Sequence, residues 1–338
     1  MSDIISVAPP AQDSNKTKKW LKFFASFALG ITLLIIIFKS LGITPTIAKD
    51  TLLDVGYFYF LLVVASYVVL NYTVALKWRV IITSLAPEIV PRTGYFMYFG
   101  SLSFLLNSLL PQSGFGVRVL SLKLLYNIPT TKGILTQFID QLSELIVAAV
   151  FFLPFLFYIL KIITLYQAAG ALLLSIVAVF ILIKFLNIKR LEGLGGWIIK
   201  RSSGLNRFSL FTKFRNLFVD VPFAKLNTSW IISIAFIKMF VSVSGTILMM
   251  WSAGITLSPL EILIIAPPVY LIGLFAITPG GLGTVDAGWL GILLLMGVDK
   301  LAIGKYLVVE IAVGNLSQAL VTFFAYLVYT VINRPKAD

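Results

Sequence analysis

The sequence predicts an all-α polytopic membrane protein, a bundle of about six to eight transmembrane helices with two re-entrant segments broken by glycine and proline. Of its 338 residues, 59% are hydrophobic and 12% are charged, whereas soluble domains are about 45–50% apolar and 25% charged. Several apolar runs reach the roughly 17–25 residues that cross a bilayer. Two further apolar runs carry a Pro/Gly interruption in their middle.

The chain divides into a polar N-terminus, one membrane domain and a short tail. Residues 1–19 are polar, and we expect them to be disordered and cytoplasmic. Residues 20–332 form a single transmembrane domain, and residues 333–338 form a cytoplasmic tail. The predicted uninterrupted spans are residues 20–38, 52–76, 133–160, 163–186, 230–251 and 304–332.

The two interrupted runs share a pattern. Residues 94–126 contain "LLPQSGFGVRVL", and residues 259–298 contain "ITPGGLGTVDAGWL". Each break opens with proline, continues with glycine and has a charged residue seven positions after the proline: Pro111 and Arg118 in the first, Pro279 and Asp286 in the second.

The distribution of positive charge decides how these runs cross the membrane. The strongly basic segment 184–228 should be cytoplasmic, as should the chain start and a loop containing Lys77, Arg79 and Arg92. A single crossing by residues 94–126 would put that basic segment outside. Two re-entrant hairpins entering from opposite faces satisfy the charge rule and suggest an inverted repeat. The alternative is two proline-kinked full spans.

The basic segment also has an amphipathic pattern. Phe208, Phe211, Phe214 and Phe218 recur at roughly helical spacing. This predicts an amphipathic cytoplasmic helix near residues 187–228 that lies on anionic lipid, either as a simple surface anchor or with a role in substrate handling.

Several charged residues fall inside apolar segments, where each costs about 2.5–3.5 kcal/mol at the centre of a span. They must therefore face one another or a wet cavity. One hypothesis is an interior polar path that holds a lipid head group. The alternative is pairing for assembly alone, for example Lys238 with Glu310 or Arg118 with Glu144, and Lys238 also lies close enough to a helix end to snorkel. The predicted residues are Arg118, Asp140, Glu144, Lys238, Asp286 and Glu310.

The second break has the residues of an anion cradle. Glycine permits close approach of backbone to a ligand, and a helix that starts after the break directs N–H groups at it. The residues concerned are Pro279, Gly280, Gly281 and Gly283. Asp286 would repel phosphate unless it pairs with Arg118 or a cationic head group. No G-K-[ST] follows, so this is not a nucleotide loop.

Composition excludes much other chemistry. The chain has no His and no Cys, which removes thiolate and imidazole chemistry, and we expect no metal or cofactor and no catalytic residue. The net charge of +13 is attributed to the positive-inside rule and anionic lipid, with no nucleic-acid partner.

Three motifs resemble a known family. They are a "PGGLGTVDA" stretch at residues 279–287, a [DE]-x-x-x-[DE] pair at Asp140 and Glu144, and an N-x-x-x-P-x-x-G-x-G-x-R pattern formed by Asn107, Pro111, Gly114, Gly116 and Arg118. Over about residues 20–332 the chain resembles the lysylphosphatidylglycerol-synthase transmembrane-region family of flippase-like integral membrane proteins. The resemblance implies a lipid-handling membrane domain. Larger members add a soluble aminoacyl-transferase domain, which we expect to be absent because the chain ends at Asp338.

Two positions depart from the family pattern. Gln141 stands where the family usually has Arg, and Val309-Glu310 stands where an aromatic–Arg pair is common. These changes leave open a more cationic head group or a rebalanced internal charge.

The leading functional hypothesis is a flippase-like lipid translocase that moves a phospholipid or polyprenyl-phosphate-linked head group between leaflets. The alternative is a non-transporting accessory that scaffolds or presents lipid to a separate synthase or glycosyltransferase. An intramembrane transferase using a carboxylate base ranks last, so we expect no enzyme. The expected partners are a lipid head group, anionic membrane lipids and a separate lipid-modifying enzyme. The expected location is the plasma (inner) membrane, with both termini cytoplasmic.

Overall fold

The computed structural model of the chain describes residues 14–89, 91–110, 113–185, 226–274 and 278–332. Within these ranges every regular element is helical. The helices are α1 (Ser14–Ser40), α2 (Pro45–Asp54), α3 (Gly56–Leu85), α4 (Thr93–Leu109), α5 (Ser113–Tyr126), α6 (Thr130–Ile159), α7 (Leu165–Phe185), α8 (Thr228–Ser252), α9 (Pro259–Leu274), a 3₁₀ turn (Pro279–Gly281), α10 (Thr284–Leu295), α11 (Lys300–Val309), a π-helical turn (Glu310–Gly314) and α12 (Asn315–Ile332).

The helix lengths confirm the predicted polytopic membrane bundle. In the described part of the chain, five helices are long and apolar enough to cross a membrane, or six if the bent pair α1–α2 is counted as one span. The continuous helix formed by α11, the π-turn and α12 is one of these five. The chain is therefore an integral membrane protein.

Two predicted boundaries need correction. Helix α1 begins at Ser14, inside the N-terminal segment expected to be disordered. Helix α3 continues to Leu85, nine residues beyond the predicted end of that span. Lys77, which sequence reasoning put in a cytoplasmic loop, consequently lies within the helix and is completely buried.

Helix α2 was not predicted. The chain bends by 86° between α1 and α2. Thr44 caps the new helix, because its hydroxyl accepts a hydrogen bond of 3.2 Å from the Ile47 N–H, and Pro45 occupies the first helical position, where a missing N–H costs nothing.

The first interrupted run folds into an antiparallel helical hairpin, α4–α5. At its open end the Tyr95 hydroxyl lies 2.7 Å from the Ser121 hydroxyl. At its tip the side-chain oxygen Oδ1 of Asn107 accepts a 2.7 Å hydrogen bond from the Gly114 N–H. With 17 and 14 residues, the two arms measure about 26 and 21 Å at 1.5 Å per residue, and both are shorter than a hydrocarbon core of about 30 Å.

The second interrupted run also folds into an antiparallel hairpin, α9–α10. In the middle of the shorter arm the rings of Tyr270 and Trp289 lie edge to face with centroids 6.2 Å apart. Nearer the tip, a Cβ on Gly273 would lie 3.7 Å from the Val285 side chain. These arms have 16 and 12 residues, or about 24 and 18 Å.

The two hairpins enter the bundle from opposite ends. We call the end where α3 finishes and α6 begins the basic end. Leu226 and Ile231 pack there with Leu85 and Leu135, so α8 starts at the basic end, and the hairpin α4–α5 opens there too. The hairpin α9–α10 opens at the other end, where Tyr158 at the close of α6 donates a 3.3 Å hydrogen bond to Glu261.

The hairpin tips meet inside the bundle. A Cβ on Gly280 would lie 3.0 Å from the Cα of Ser108 in the last turn of α4. The second tip also packs on α1, where a Cβ on Gly30 would lie 3.1 Å from the Leu282 carbonyl oxygen. Gly30 is ten residues from the end of α1, about 15 Å, which is half the thickness of a hydrocarbon core.

The main hydrophobic core is formed by the long helices α3, α6 and α8 together with the second hairpin and α11. Trp289, Tyr306, Met250 and Ile265 are fully buried within it.

Three predictions fall outside the described residues: the character of residues 1–13, the amphipathic helix near residues 187–228 and the tail at 333–338. Pro111 also lies outside them.

Candidate functional site

Five charged side chains from four helices form one buried network. Lys77 of α3 lies at its centre, with its ammonium 2.7 Å from Asp140 Oδ1 and in direct contact with Glu144. Arg118 of α5 contacts Asp140 Oδ2 at 3.0 Å. Lys238 of α8 contacts Glu144 Oε1 at 2.8 Å.

This network corrects the pairs considered from the sequence. Arg118 pairs with Asp140 rather than with Glu144. Lys238 pairs with Glu144 rather than with Glu310, so it does not reach the interface by snorkelling. Gln137 lies on the same face and accepts a 3.4 Å hydrogen bond from Arg118, whereas Gln141 faces outward and is exposed.

The network lies near the middle of the bundle. Lys77 and Arg118 are each eight residues from the basic-end terminus of their helices, and Asp140 and Lys238 are each ten residues from theirs. These separations correspond to about 12–15 Å, near the midplane of a hydrocarbon core of about 30 Å.

Positive charge is in surplus here. Lys77, Arg118 and Lys238 face two carboxylates, so three positive and two negative side chains leave one positive charge uncompensated within the network. In the part of the chain that the structure describes, two buried donors of this site, Arg118 Nε and Gln137 Nε2, also have no hydrogen-bond partner. A buried donor without a partner costs about 1–3 kcal/mol, and the arrangement therefore suits an additional oxyanion.

The two outer cations flank one aromatic ring. The guanidinium of Arg118 lies 5.9 Å from the centroid of Phe104 in α4, and the Lys238 ammonium lies 6.0 Å from the same centroid. Lys238 is the most accessible of the cations, with a side chain 20% exposed against 7% for Arg118 and 0% for Lys77. Of the three cations, Lys238 is therefore the one most open to the surroundings.

The second break arranges its polar groups differently from the predicted cradle. The Asp286 carboxylate accepts a 2.6 Å hydrogen bond from the Gly283 N–H, so it caps the start of α10 at a position that an anion would otherwise occupy. The Thr284 hydroxyl donates to the Gly281 carbonyl at 2.9 Å. Arg118, considered as a partner for Asp286, is engaged by Asp140 instead.

Glu310 belongs to this second group. It begins the π-helical turn between α11 and α12, and its Oε1 accepts a 3.2 Å hydrogen bond from the Trp289 indole N–H. The sequence-predicted residues thus separate into two groups, one around Asp140 and Glu144 and one around Asp286 and Glu310. No ion pair joins the groups in the part of the chain that the structure describes.

The glycines of the predicted site have distinct roles. A Cβ on Gly114 would collide with the Ser103 carbonyl oxygen and lie 2.8 Å from the Asn107 amide nitrogen, so glycine is required for close packing there. A Cβ on Gly116 would meet nothing within 4 Å. Gly280, Gly281 and Gly283 all have positive φ, at 60°, 74° and 77°, which favours glycine.

Sequence reasoning missed Lys77 and a second polar contact. Asn71 of α3 donates a 3.0 Å hydrogen bond to Gln318 of α12, and Gln318 donates a 3.0 Å hydrogen bond to the Ser101 carbonyl of α4. A signal for Lys77 was present. The apolar run resumes after it as far as Leu85, and the carboxylates at 140 and 144 needed cations.

The architecture defines a polytopic membrane protein with two opposed hairpins and a charged network beside the first of them. The chain belongs to the family described as Lysylphosphatidylglycerol synthase TM region, whose match covers residues 23–314. That range includes both hairpins and every residue of the network. Neither a curated protein nor a solved structure matches the chain. Membership associates it with membrane proteins of lipid modification.

Proposed function

We propose that the protein is a lipid translocase that moves a phosphate-bearing lipid head group between leaflets. The observation that supports this most is the surplus positive charge of the network around Asp140 and Glu144, at about mid-membrane depth. A charge at this depth is costly, and a phosphate monoanion would neutralise the surplus while accepting from the orphaned donors of Arg118 and Gln137.

The two cations beside Phe104 define how a head group would bind. Arg118 and Lys238 approach the Phe104 ring from α5 and α8, and a phosphate seated between them would receive charge-assisted hydrogen bonds from both. Lys77 would stay in place as the internal cation that holds Asp140 and Glu144. The acyl or prenyl chains would remain in the surrounding lipid, because the head group alone needs a polar environment.

The opposed hairpins supply a route. Each hairpin leads from one end of the bundle to the meeting point of the tips near Ser108 and Gly280. A head group bound at the network lies beside the α4–α5 hairpin, since Phe104 and Arg118 belong to its two arms. Movement of one hairpin against the other would expose the network first to one end and then to the other, as in transporters with paired broken helices.

The test is lipid equilibration in proteoliposomes. The purified chain is reconstituted with fluorescent phosphatidylglycerol, and the fraction of label reached by an impermeant quencher is followed over time. We expect faster equilibration than in empty vesicles, and a rate lowered about tenfold or more in Lys238→Met, since a hydrogen bond to a charged group contributes about 1.5–3 kcal/mol. Lys238 is preferred to Lys77 because its side chain is partly exposed, so its loss disturbs folding less.

The matched control is Lys132→Met. Lys132 is also paired with a glutamate, Glu88, but at 3.5 Å and on the surface, so its loss should leave the rate unchanged. Equilibration no faster than in empty vesicles would refute the translocase. Equal rates for the two lysine variants would refute the role of the network in it. Head-group binding that depends on Lys238 without any movement of label would instead identify a lipid-presenting accessory.

A further inference from the structure

Glu310 is a membrane-embedded carboxylate without a cation. It lies ten residues into the span that starts at Lys300, about 15 Å from that end and hence near the middle of a hydrocarbon core. In the part of the chain that the structure describes, no Lys or Arg forms an ion pair with it. Among the described residues, its buried Oε2 atom has no hydrogen-bond partner of regular geometry.

The groups that face Glu310 are aromatic or acidic. Trp289 of α10 donates to Oε1 at 3.2 Å. Tyr306 of α11 is fully buried, and its hydroxyl lies close enough to the carboxyl group to interact with it. Tyr67 of α3 and Tyr270 of α9 also lie within electrostatic reach.

Asp286 is the remaining titratable group that faces this site. It lies within electrostatic reach of Glu310 and is held at the tip of the second hairpin by the Gly283 N–H. Two carboxylates without a cation repel each other in a medium of low dielectric constant. Binding of one proton removes both this repulsion and the cost of a buried charge, and converts Oε2 into a hydroxyl that can donate to an oxygen.

The backbone at Glu310 is suited to exchange of that proton. The π-helical turn interrupts the regular hydrogen-bond ladder between α11 and α12, and single π-turns inside helices occur frequently at functional sites. The turn is also wedged against α3, where a Cβ on Gly314 would lie 2.8 Å from the Tyr67 hydroxyl. Glu310 and Trp289 connect α11 to the second hairpin, so movement of that hairpin alters the environment of the carboxyl group.

We propose that Glu310 carries an exchangeable proton and that its release and uptake are coupled to the lipid movement proposed above. The inference rests on that function for the coupling, but not for the proton site itself. A phosphate monoanion and one proton moving together carry no net charge, so a pH gradient alone would drive their symport. The sign of the resulting lipid asymmetry distinguishes symport from exchange.

The first experiment measures the proton without any transport. Infrared difference spectra of the purified wild type and Glu310→Gln, at neutral pH and in H₂O and D₂O, report the C=O stretch of protonated carboxylic acids. We expect one such band in the wild type that shifts in D₂O and is absent from Glu310→Gln. The control Glu88→Gln, a surface carboxylate paired with Lys132 at 3.5 Å, should keep the band. If the wild type lacks the band, the proposal is overturned.

A second variant keeps this test decisive if Glu310→Gln does not fold. Trp289→Phe retains the aromatic packing but removes the hydrogen bond to Oε1. It should shift the frequency of the same band without abolishing it. An unchanged frequency would assign the band to another carboxyl group and overturn the proposal.

The second experiment measures coupling. Proteoliposomes with fluorescent phosphatidylglycerol receive a pH difference of about one unit, which for one proton per lipid supports an asymmetry of about tenfold between leaflets. Glu310→Gln should reach an even distribution, and Glu88→Gln should behave as the wild type. An even distribution in the wild type despite rapid equilibration would refute the coupling. If no variant moves lipid, the translocase fails, and the infrared result alone decides the proton site.

Discussion

The packing of the first hairpin can be tested with two glycines in the first turn of α5, Gly114 and Gly116. Gly114→Ala would put a methyl group against the Ser103 carbonyl oxygen and 2.8 Å from the Asn107 amide nitrogen, whereas at Gly116 the same methyl group would meet nothing within 4 Å. Overpacking against backbone costs about 1–3 kcal/mol. Replacing a helical glycine by alanine otherwise contributes up to about 1 kcal/mol of stability in both variants.

The expected difference in free energy of unfolding between the two variants is therefore the clash itself, about 1–3 kcal/mol, with Gly114→Ala the less stable. Gly114→Ala should also weaken the 2.7 Å hydrogen bond from the Gly114 N–H to Asn107. Equilibrium unfolding in mixed micelles, followed by tryptophan fluorescence, measures both free energies against the wild type. Equal stabilities for the two variants would show that α4 and α5 are not packed as an antiparallel hairpin.

Three further predictions concern the network, the α3–α12 contact and the second tip. Lys77→Met should destabilise the fold by about 3–5 kcal/mol, well beyond Lys238→Met, because it strips the central cation from two carboxylates; equal losses in unfolding assays would contradict the network. A double-mutant cycle of Asn71→Leu and Gln318→Leu should give a coupling of about 0.6–1.7 kcal/mol, and additive losses would mean that the contact does not form. Gly280→Ala, which adds a side chain at φ 60° against the first hairpin, should cost about 1–3 kcal/mol; an unchanged unfolding midpoint would refute the tip contact.

Much of the architecture could be predicted because membrane helices can be recognised from their composition, as long apolar runs with few charges. The apolar runs located six spans to within a few residues at most ends, and the positive-inside rule converted two broken runs into hairpins of opposite entry. Both conclusions use information that is local or summed over loops. The meeting of Gly280 with Ser108 also agrees with the expected central position of the breaks.

The charged pairs could not be predicted in the same way. Lys77 was assigned to a loop because a hydropathy run ends at the first strong charge, whereas its burial depends on carboxylates from α6, more than 60 positions away. The choice of Asp140 for Arg118 and of Glu144 for Lys238 depends on how α5, α6 and α8 are rotated. A sequence states which side chains need partners, but packing decides which partners they receive.

The π-turn and the cap at Asp286 were missed for a related reason. Asp286 was considered as a ligand-facing charge, yet three residues before it a glycine N–H needs an acceptor at the start of α10. Glu310 was predicted as a charge inside one uninterrupted span, residues 304–332, and the wider turn from Glu310 to Gly314 changes which residues share a face of that span. Local backbone departures of this kind leave no periodicity to detect.

The contact between the hairpin tips has a consequence for the speed of any opening. Gly280 approaches the Ser108 Cα there, and on the α1 side Gly283 approaches the Leu33 Cβ and the Gly30 carbonyl oxygen. These are main-chain atoms or atoms directly attached to the main chain. A barrier made of side chains opens by rotamer flips in picoseconds to nanoseconds, but one made of backbone opens only when whole helices shift, typically in microseconds to milliseconds. The contact at the middle of this protein should therefore open slowly and as a unit, and small side-chain movements alone should not open it.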